Sequence, residues 1–180
     1  MRNKGSQHVS GSNPEQKTSP SPERQAVSAA LGRMPSGLFI VTAGSGVQAQ
    51  GMLASWVQQC GFEPPCVSLA VKKGRGLGEL LHAGTPFAVH VLGEGQKQLL
   101  GHFGKGQAPG PEGFHAVGGH VPEGGPPLLP DALACLECVV VTRHEVGDHE
   151  LVVGEVKRAR GPAEPDGKPW VHTRKNGFQY

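Results

Sequence analysis

The chain has 180 residues, with 17 Lys and Arg against 15 Asp and Glu and a formal net charge of +2. Its basic residues are scattered rather than gathered into a run that would track a phosphate backbone, which argues against a nucleic-acid binder. No apolar stretch reaches the roughly 18 residues of a membrane span, and the opening residues lack the apolar core of a secretory signal, so the expectation is a protein that works inside a cell, in water.

Residues 1–24 are rich in Ser, Gln, Asn, Pro and Gly and hold almost nothing large and apolar. Such a segment cannot offset the entropy of ordering and reads as a tail or linker, leaving one domain over residues 25–180. That domain opens with a short amphipathic helix in which Val27, Ala30, Leu31 and Met34 recur at helical spacing before Pro35 and Gly37 end it. Strand signals follow at 38–43 (LFIVTA), 51–58 (GMLASWVQ), 66–72 (CVSLAVK) and 86–92 (PFAVHVL), each short, apolar or β-branched, and bounded by Gly or Pro. Two short helices interrupt them, one through Gly78 to His82 and one through Gln96 to Phe103, where Leu99, Leu100 and Phe103 share a face.

From Gly104 to Pro130 runs a Gly/Pro-rich loop that offers little to a core, and a loop of that length in a compact domain is usually a lid, a binding loop or a partner surface. Two long strands then close the sheet, CLECVVVTRHEV and HELVVGEVKRAR, joined by a tight turn at Val146–His149. The spacing predicts a mainly β barrel or sandwich with a few short helices.

Cys135 and Cys138 form a C-x-x-C, but in a strand residues three apart point to opposite faces, so buried free thiols are the preferred reading of Cys60, Cys66, Cys135 and Cys138. No G-x-G-x-x-G is complete: Gly93 and Gly95 are followed by Gln98, and Gly74 and Gly76 by Glu79. Walker A, H-E-x-x-H and G-x-S-x-G motifs are also missing, so any catalysis must rest on something bound.

The stretch from Gly51 to Arg75 carries the chemistry. Two strands meet through a Glu-Pro-Pro turn, and on the first of them Met52, Ala54 and Trp56 alternate with Leu53, Ser55 and Val57, so one side can pack while the other lines a slot. A flavin suits such a slot: its flat ring needs apolar walls, its polar edge needs backbone and hydroxyl partners, and its phosphate needs cations. Ser55, Lys73 and Arg75 can supply those contacts, although on charge alone Lys72, Lys73 and Arg75 read rather as a solvated strand end.

The segments LGRMPSGLFIVTA, GMLASWVQQCGFEPP, AVKKGRGLGELL, FAVHVL, HFGK, PLLPDALACLEC, GDHELVVGEV and VHTRKNGFQY, in that order, resemble the flavin reductase family of FMN-binding split barrels, and most of all its module at the C-terminus of photosynthetic flavodiiron (diflavin) proteins. The resemblance implies a homodimeric split β-barrel that holds FMN and accepts hydride from NADH or NADPH. It places Ala54, Ser55, Trp56 and Val57 at the flavin ring and ribityl chain, Lys73 and Arg75 at the phosphate, and His102 and Phe103 beside them. It puts His149, in the Gly-Asp-His turn, near the nicotinamide as the catalytic candidate, against the plainer reading of a turn histidine satisfied by backbone groups. It also lets Arg174 reach a phosphate, where a solvated surface arginine is the alternative.

Gly61 and Leu77 depart from the pattern by standing where many members carry a hydroxyl residue, which implies fewer phosphate contacts and weaker affinity for free FMN. The implied electron acceptors are a flavodiiron domain, free flavin, ferric iron or oxygen, and the implied compartment is the cytoplasm or the chloroplast stroma. A non-catalytic module holding FMN or haem, and a dimerisation platform without cofactor, are the competing readings.

Overall fold

The computed structural model of the protein describes residues 20–106, 108–161 and 166–179. The first element is helix α1, Pro22–Gly32, capped by the Ser21 side chain accepting from the Arg24 N–H at 3.2 Å, with proline in the first turn. It starts ahead of the expected boundary at residue 24, and residues 1–19 of the expected tail lie outside the described residues.

Among the described residues nine strands follow: β1 (Ser36–Gly37), β2 (Phe39–Ala43), β3 (Gln50–Ala54), β4 (Val57–Phe62), β5 (Pro65–Lys72), β6 (Pro86–Val91), β7 (Ala134–Val146), β8 (His149–Arg160) and β9 (Val171–His172). Helix α2 (Lys97–Gly104) and the single turn α3 (Glu112–His115) lie between β6 and β7, and the helix expected near Gly78 is a 3₁₀ turn over Gly76–Leu80. β1 pairs with β9; the rest form one antiparallel sheet in the order β3-β2-β6-β7-β8-β5-β4.

That order dictates the shape. β3 and β4 are consecutive in the chain yet occupy opposite edges of the sheet. The step from Ala54 to Val57 reaches at most about 10 Å, so the sheet must curl until its edges nearly meet there. The result is a barrel closed at one corner and parted beyond it. The uninterrupted strand expected over 51–58 is therefore broken at Ser55 and Trp56, where the chain changes edges, and the sequence pattern carried no signal for that break.

The barrel interior is filled by Val41, Ala43, Leu69, Val71, Phe87, Val89, Cys138, Val140 and Val152. A second cluster, with Ile40, Leu92, Leu99, Phe103, Phe114, Val117 and Leu129, lies on the outer face of β2 and β6 beneath α2. β2 alternates between the two, Val41 and Ala43 inward and Ile40 outward, which is why almost all of FIVTA is buried. Phe87 lies so close over Gly154 that a Cβ there would collide with its ring.

The segment expected as a free loop after Gly104 is largely structural. Phe114, Val117 and Leu129 belong to the outer cluster, His120 and Leu128 exchange backbone hydrogen bonds of 2.8 Å, and the Thr42 hydroxyl donates to the Pro127 carbonyl at 2.6 Å. These apolar residues form no sequence pattern, yet Phe114, Val117, Val121 and Leu129 all reach the same cluster. Cys138 faces the barrel interior with Leu136 and Val140, while Cys135 is buried but lies outside that cluster. Cys60 is exposed and Cys66 half-buried, so the expectation of buried thiols holds for only half of the four. No helix among the described residues is long and apolar enough to cross a membrane.

Candidate functional site

A cleft of about 350 Å³ opens where the barrel edges part. Met52, Leu53 and Ala54 of β3 form one side, Ser55 and Trp56 the corner, Ala70 and Lys72 of β5 the other side, and Arg75 the rim. Leu38, Leu100 and Gly104 close it from the α2 side, and Trp170 and His172 from the C-terminal strand. The walls are apolar, Lys72 and Arg75 are cationic, and no Asp or Glu lines the cleft among the described residues. The corner is fixed by the Ala70 N–H donating to the Trp56 carbonyl at 3.0 Å.

Of the expected site residues, Ala54, Ser55, Trp56 and Arg75 line this cleft together. Val57, directly after the corner, turns into the barrel core. Phe103 is buried in the outer cluster beside Phe114, with ring centres 5.7 Å apart, and His102 is bonded through Nε2 to the Gly113 carbonyl at 2.7 Å. The face that α2 turns to the cleft carries Leu100 and Gly104 instead.

Lys73 also points elsewhere: its ammonium pairs with Glu145 at 2.8 Å and its N–H donates to the Asp148 carbonyl at 3.0 Å, hooking β5 to the β7–β8 turn. Lys72 is the lysine of the cleft. It shares a strand face with Ala70, so the alternation of β5, with Val67, Leu69 and Val71 buried, was the signal that singles it out. Trp170 and His172 carried no comparable signal, because a two-residue strand is too short to show a period.

His149 sits behind the corner, its ring centre 4.9 Å from that of Trp56. The Asp148 carboxylate can only accept, so His149 donates Nδ1–H to it at 2.8 Å, and that bond holds the Asp148 carboxyl below its usual range. Arg174 lies with its guanidinium carbon 4.9 Å from the Trp56 ring centre and donates to the carbonyls of Gly177 and Leu31. Leu77 is buried in the barrel interior, and Gly61 lies on β4 against Pro64 and Cys66; neither lines the cleft.

Aromatic and aliphatic walls, one hydroxyl and a cationic rim suit a flat ring with an anionic tail, and the volume lies within the usual range of small-molecule sites of about 300–1,000 Å³. By the chemistry of its lining, the cleft fits a flavin. The family model of the flavin reductase like domain matches residues 31–179. The chain belongs to that family.

Relatives of this flavin reductase-like chain include the diflavin flavoprotein A 1 of Synechocystis sp., 42% identical over 152 residues that make up 84% of this chain and 26% of that protein. The putative diflavin flavoprotein A 1 of Thermosynechococcus vestitus is 43% identical over the same shares of both chains. The chain thus spans about a quarter of the length of these curated relatives. Among solved structures, the NADH:FAD oxidoreductase of Streptomyces globisporus C-1027 superposes with a TM-score of 0.72 at 30% identity, covering 90% of each chain. The styrene monooxygenase flavin reductase of Pseudomonas putida S12 gives 0.67 at 28% identity, over 86% of this chain and 94% of that one. Both confirm the split-barrel architecture expected from the sequence.

Proposed function

We propose that this chain is an NAD(P)H-dependent flavin reductase that binds FMN in the cleft between β3 and β5. The observation that carries the reading is the meeting of Ser55 and Trp56, from the link between the edge strands β3 and β4, with Lys72 and Arg75, from the end of β5, in one cleft. It is supported by the family, and by a Streptomyces relative whose complex holds NAD and FAD fragments at 31% identity and a TM-score of 0.70.

In this reading Lys72 and Arg75 hold the flavin phosphate, the Ser55 hydroxyl bonds the polar edge of the ring, and Met52, Leu53, Leu100 and Trp56 keep water from its faces. Bound FMN supplies a two-electron acceptor for hydride, so the chain needs no side-chain nucleophile. Its own work is to hold the nicotinamide against the ring at a reactive separation. In this reading His149, which is bonded to Asp148 and rests near Trp56, contacts the nicotinamide or steadies negative charge on the reduced ring. A homodimer that completes the site, and a flavodiiron domain as electron acceptor, extend the proposal; the second is favoured by the diflavin relatives, of which this chain matches about a quarter.

The test is an anaerobic titration. The protein should turn yellow with FMN, and its flavin band should bleach on adding NADH or NADPH, the more effective donor being the physiological one. Protein that stays colourless with FMN refutes the reading, and bound flavin that neither nicotinamide bleaches replaces the enzyme with a non-catalytic flavin module.

A further inference from the structure

The C-terminal segment is extended and alternates along its length: Trp170, His172 and Arg174 are half-buried, whereas Val171, Thr173 and Lys175 are exposed. A period of two puts the first three on one face. Trp170 and His172 line the cleft, and Arg174 reaches the ring of Trp56, which lines it too.

The backbone of this strip is tied down at each step. Trp170 donates to the Leu92 carbonyl at 2.8 Å, Leu38 donates to the Trp170 carbonyl at 3.1 Å, His172 is registered with Ser36, and Arg174 donates to the Gly32 carbonyl at 3.2 Å. Beyond it Gly177 donates to the Ser28 carbonyl at 2.7 Å, so close to α1 that any side chain there would strike Leu31. A segment held this firmly can set the shape of a site rather than merely flank it.

We propose that the strand from Trp170 to Arg174 is a recognition wall of the cleft, with His172 contacting the bound ring ligand and Arg174 acting as a positioning residue that fixes the plane of Trp56. The inference rests on the cleft being the flavin site. It also changes the role of Arg174: a guanidinium engaged with Trp56 and two backbone carbonyls is committed to bracing the cleft rather than to a phosphate. Stacked guanidinium and indole hold each other through the ring quadrupole, and lysine keeps the charge of that contact but not the planar fork.

The experiment compares full-length His172→Ala, Arg174→Met, Arg174→Lys and a Thr173→Val control from the opposite face. FMN affinity is measured by flavin fluorescence, and the setting of the tryptophans by near-ultraviolet circular dichroism of the FMN-free protein. Thr173→Val should match the wild type. His172→Ala and Arg174→Met should each weaken FMN binding by about tenfold. Arg174→Met should also flatten the tryptophan signal without FMN, with Arg174→Lys recovering part of both. His172→Gln replaces His172→Ala if the latter lowers the melting temperature. Wild-type affinity and an unchanged tryptophan signal in the His172 and Arg174 variants overturn the recognition wall and leave the flavin reading standing. A wild-type chain that takes up no FMN overturns the flavin reading, and this one with it.

Discussion

His90 spans two elements: its Nδ1–H donates to the Ile40 carbonyl at 3.1 Å, and its Nε2 accepts the N–H of Leu129 at 3.1 Å. The imidazole is fully buried, and the bond it accepts at Nε2 requires the neutral ring. Burial is the main force that pushes its pKa down to about 4; the Arg160 charge adds to it, and the bond to Ile40 opposes it.

Acid should therefore weaken this fold over a defined window. The unfolded chain takes up a proton on His90 as pH falls through about 6.5, while the native state does not until about 4. Stability is full above pH 6.5, declines between those values, and loses nothing further from this group below them. A shift of this size corresponds to about 3 kcal/mol as an upper figure. Urea denaturation at a series of pH values should show the decline in the wild type and a shallower one in His90→Gln. Parallel curves would remove His90 as the source.

Gly154 predicts a second weak point. An added methyl has nowhere to go between β8 and the Phe87 ring, so Gly154→Ala should cost about 1–3 kcal/mol through overpacking. Phe87→Leu alone leaves a cavity, but it clears the space the methyl needs. The double variant should thus be more stable than the two single losses added together, and strict additivity in urea melts would show that the two residues do not press on each other.

The thiols separate by environment. Burial pushes Cys138 up to about 12 and Cys135 up to about 11, which leaves both as unreactive thiols at neutral pH. Cys60, exposed on β4, should be alkylated first in the native protein, and Cys135 and Cys138 only when the chain unfolds. Mass mapping after a short pulse of N-ethylmaleimide checks this; early label on Cys138 would contradict its burial.

Much of the architecture was legible because the signals were local. Alternation in CVSLAVK and PFAVHVL, the helical face of Leu99 and Phe103, and glycine in the β7–β8 turn each follow from a period or a single backbone requirement, and Gly147 has the φ of +58° that such a turn demands. What escaped was set at long range. The break at Ser55 and Trp56 exists because two sheet edges must meet, and Phe114 and Leu129 are core residues only because β2 and β6 present an outer face for them. The site followed the same division: Ser55, Trp56 and Arg75 came with the family pattern, while His172 reaches the cleft through the β1–β9 pairing and Trp170 through backbone bonds to Leu38 and Leu92, which no window of sequence reveals.

The neighbouring lysines give the sharpest test of how the cleft works. Lys72 lines it and Lys73 is engaged with Glu145 on the surface, so two adjacent residues of the same charge should behave differently. Lys72→Met should weaken FMN binding by about tenfold or more, because a charge-assisted contact is lost. Lys73→Met should leave affinity within about twofold, since an exposed ion pair is screened and weak. Riboflavin, which lacks the phosphate, should scarcely register the Lys72 change. Raising salt from about 0.01 M to about 1 M shortens the screening length from about 30 Å to about 3 Å, so it should weaken FMN far more than riboflavin. Equal losses from both lysines, or equal salt sensitivity of both ligands, would place the anionic tail somewhere other than the Lys72 and Arg75 rim.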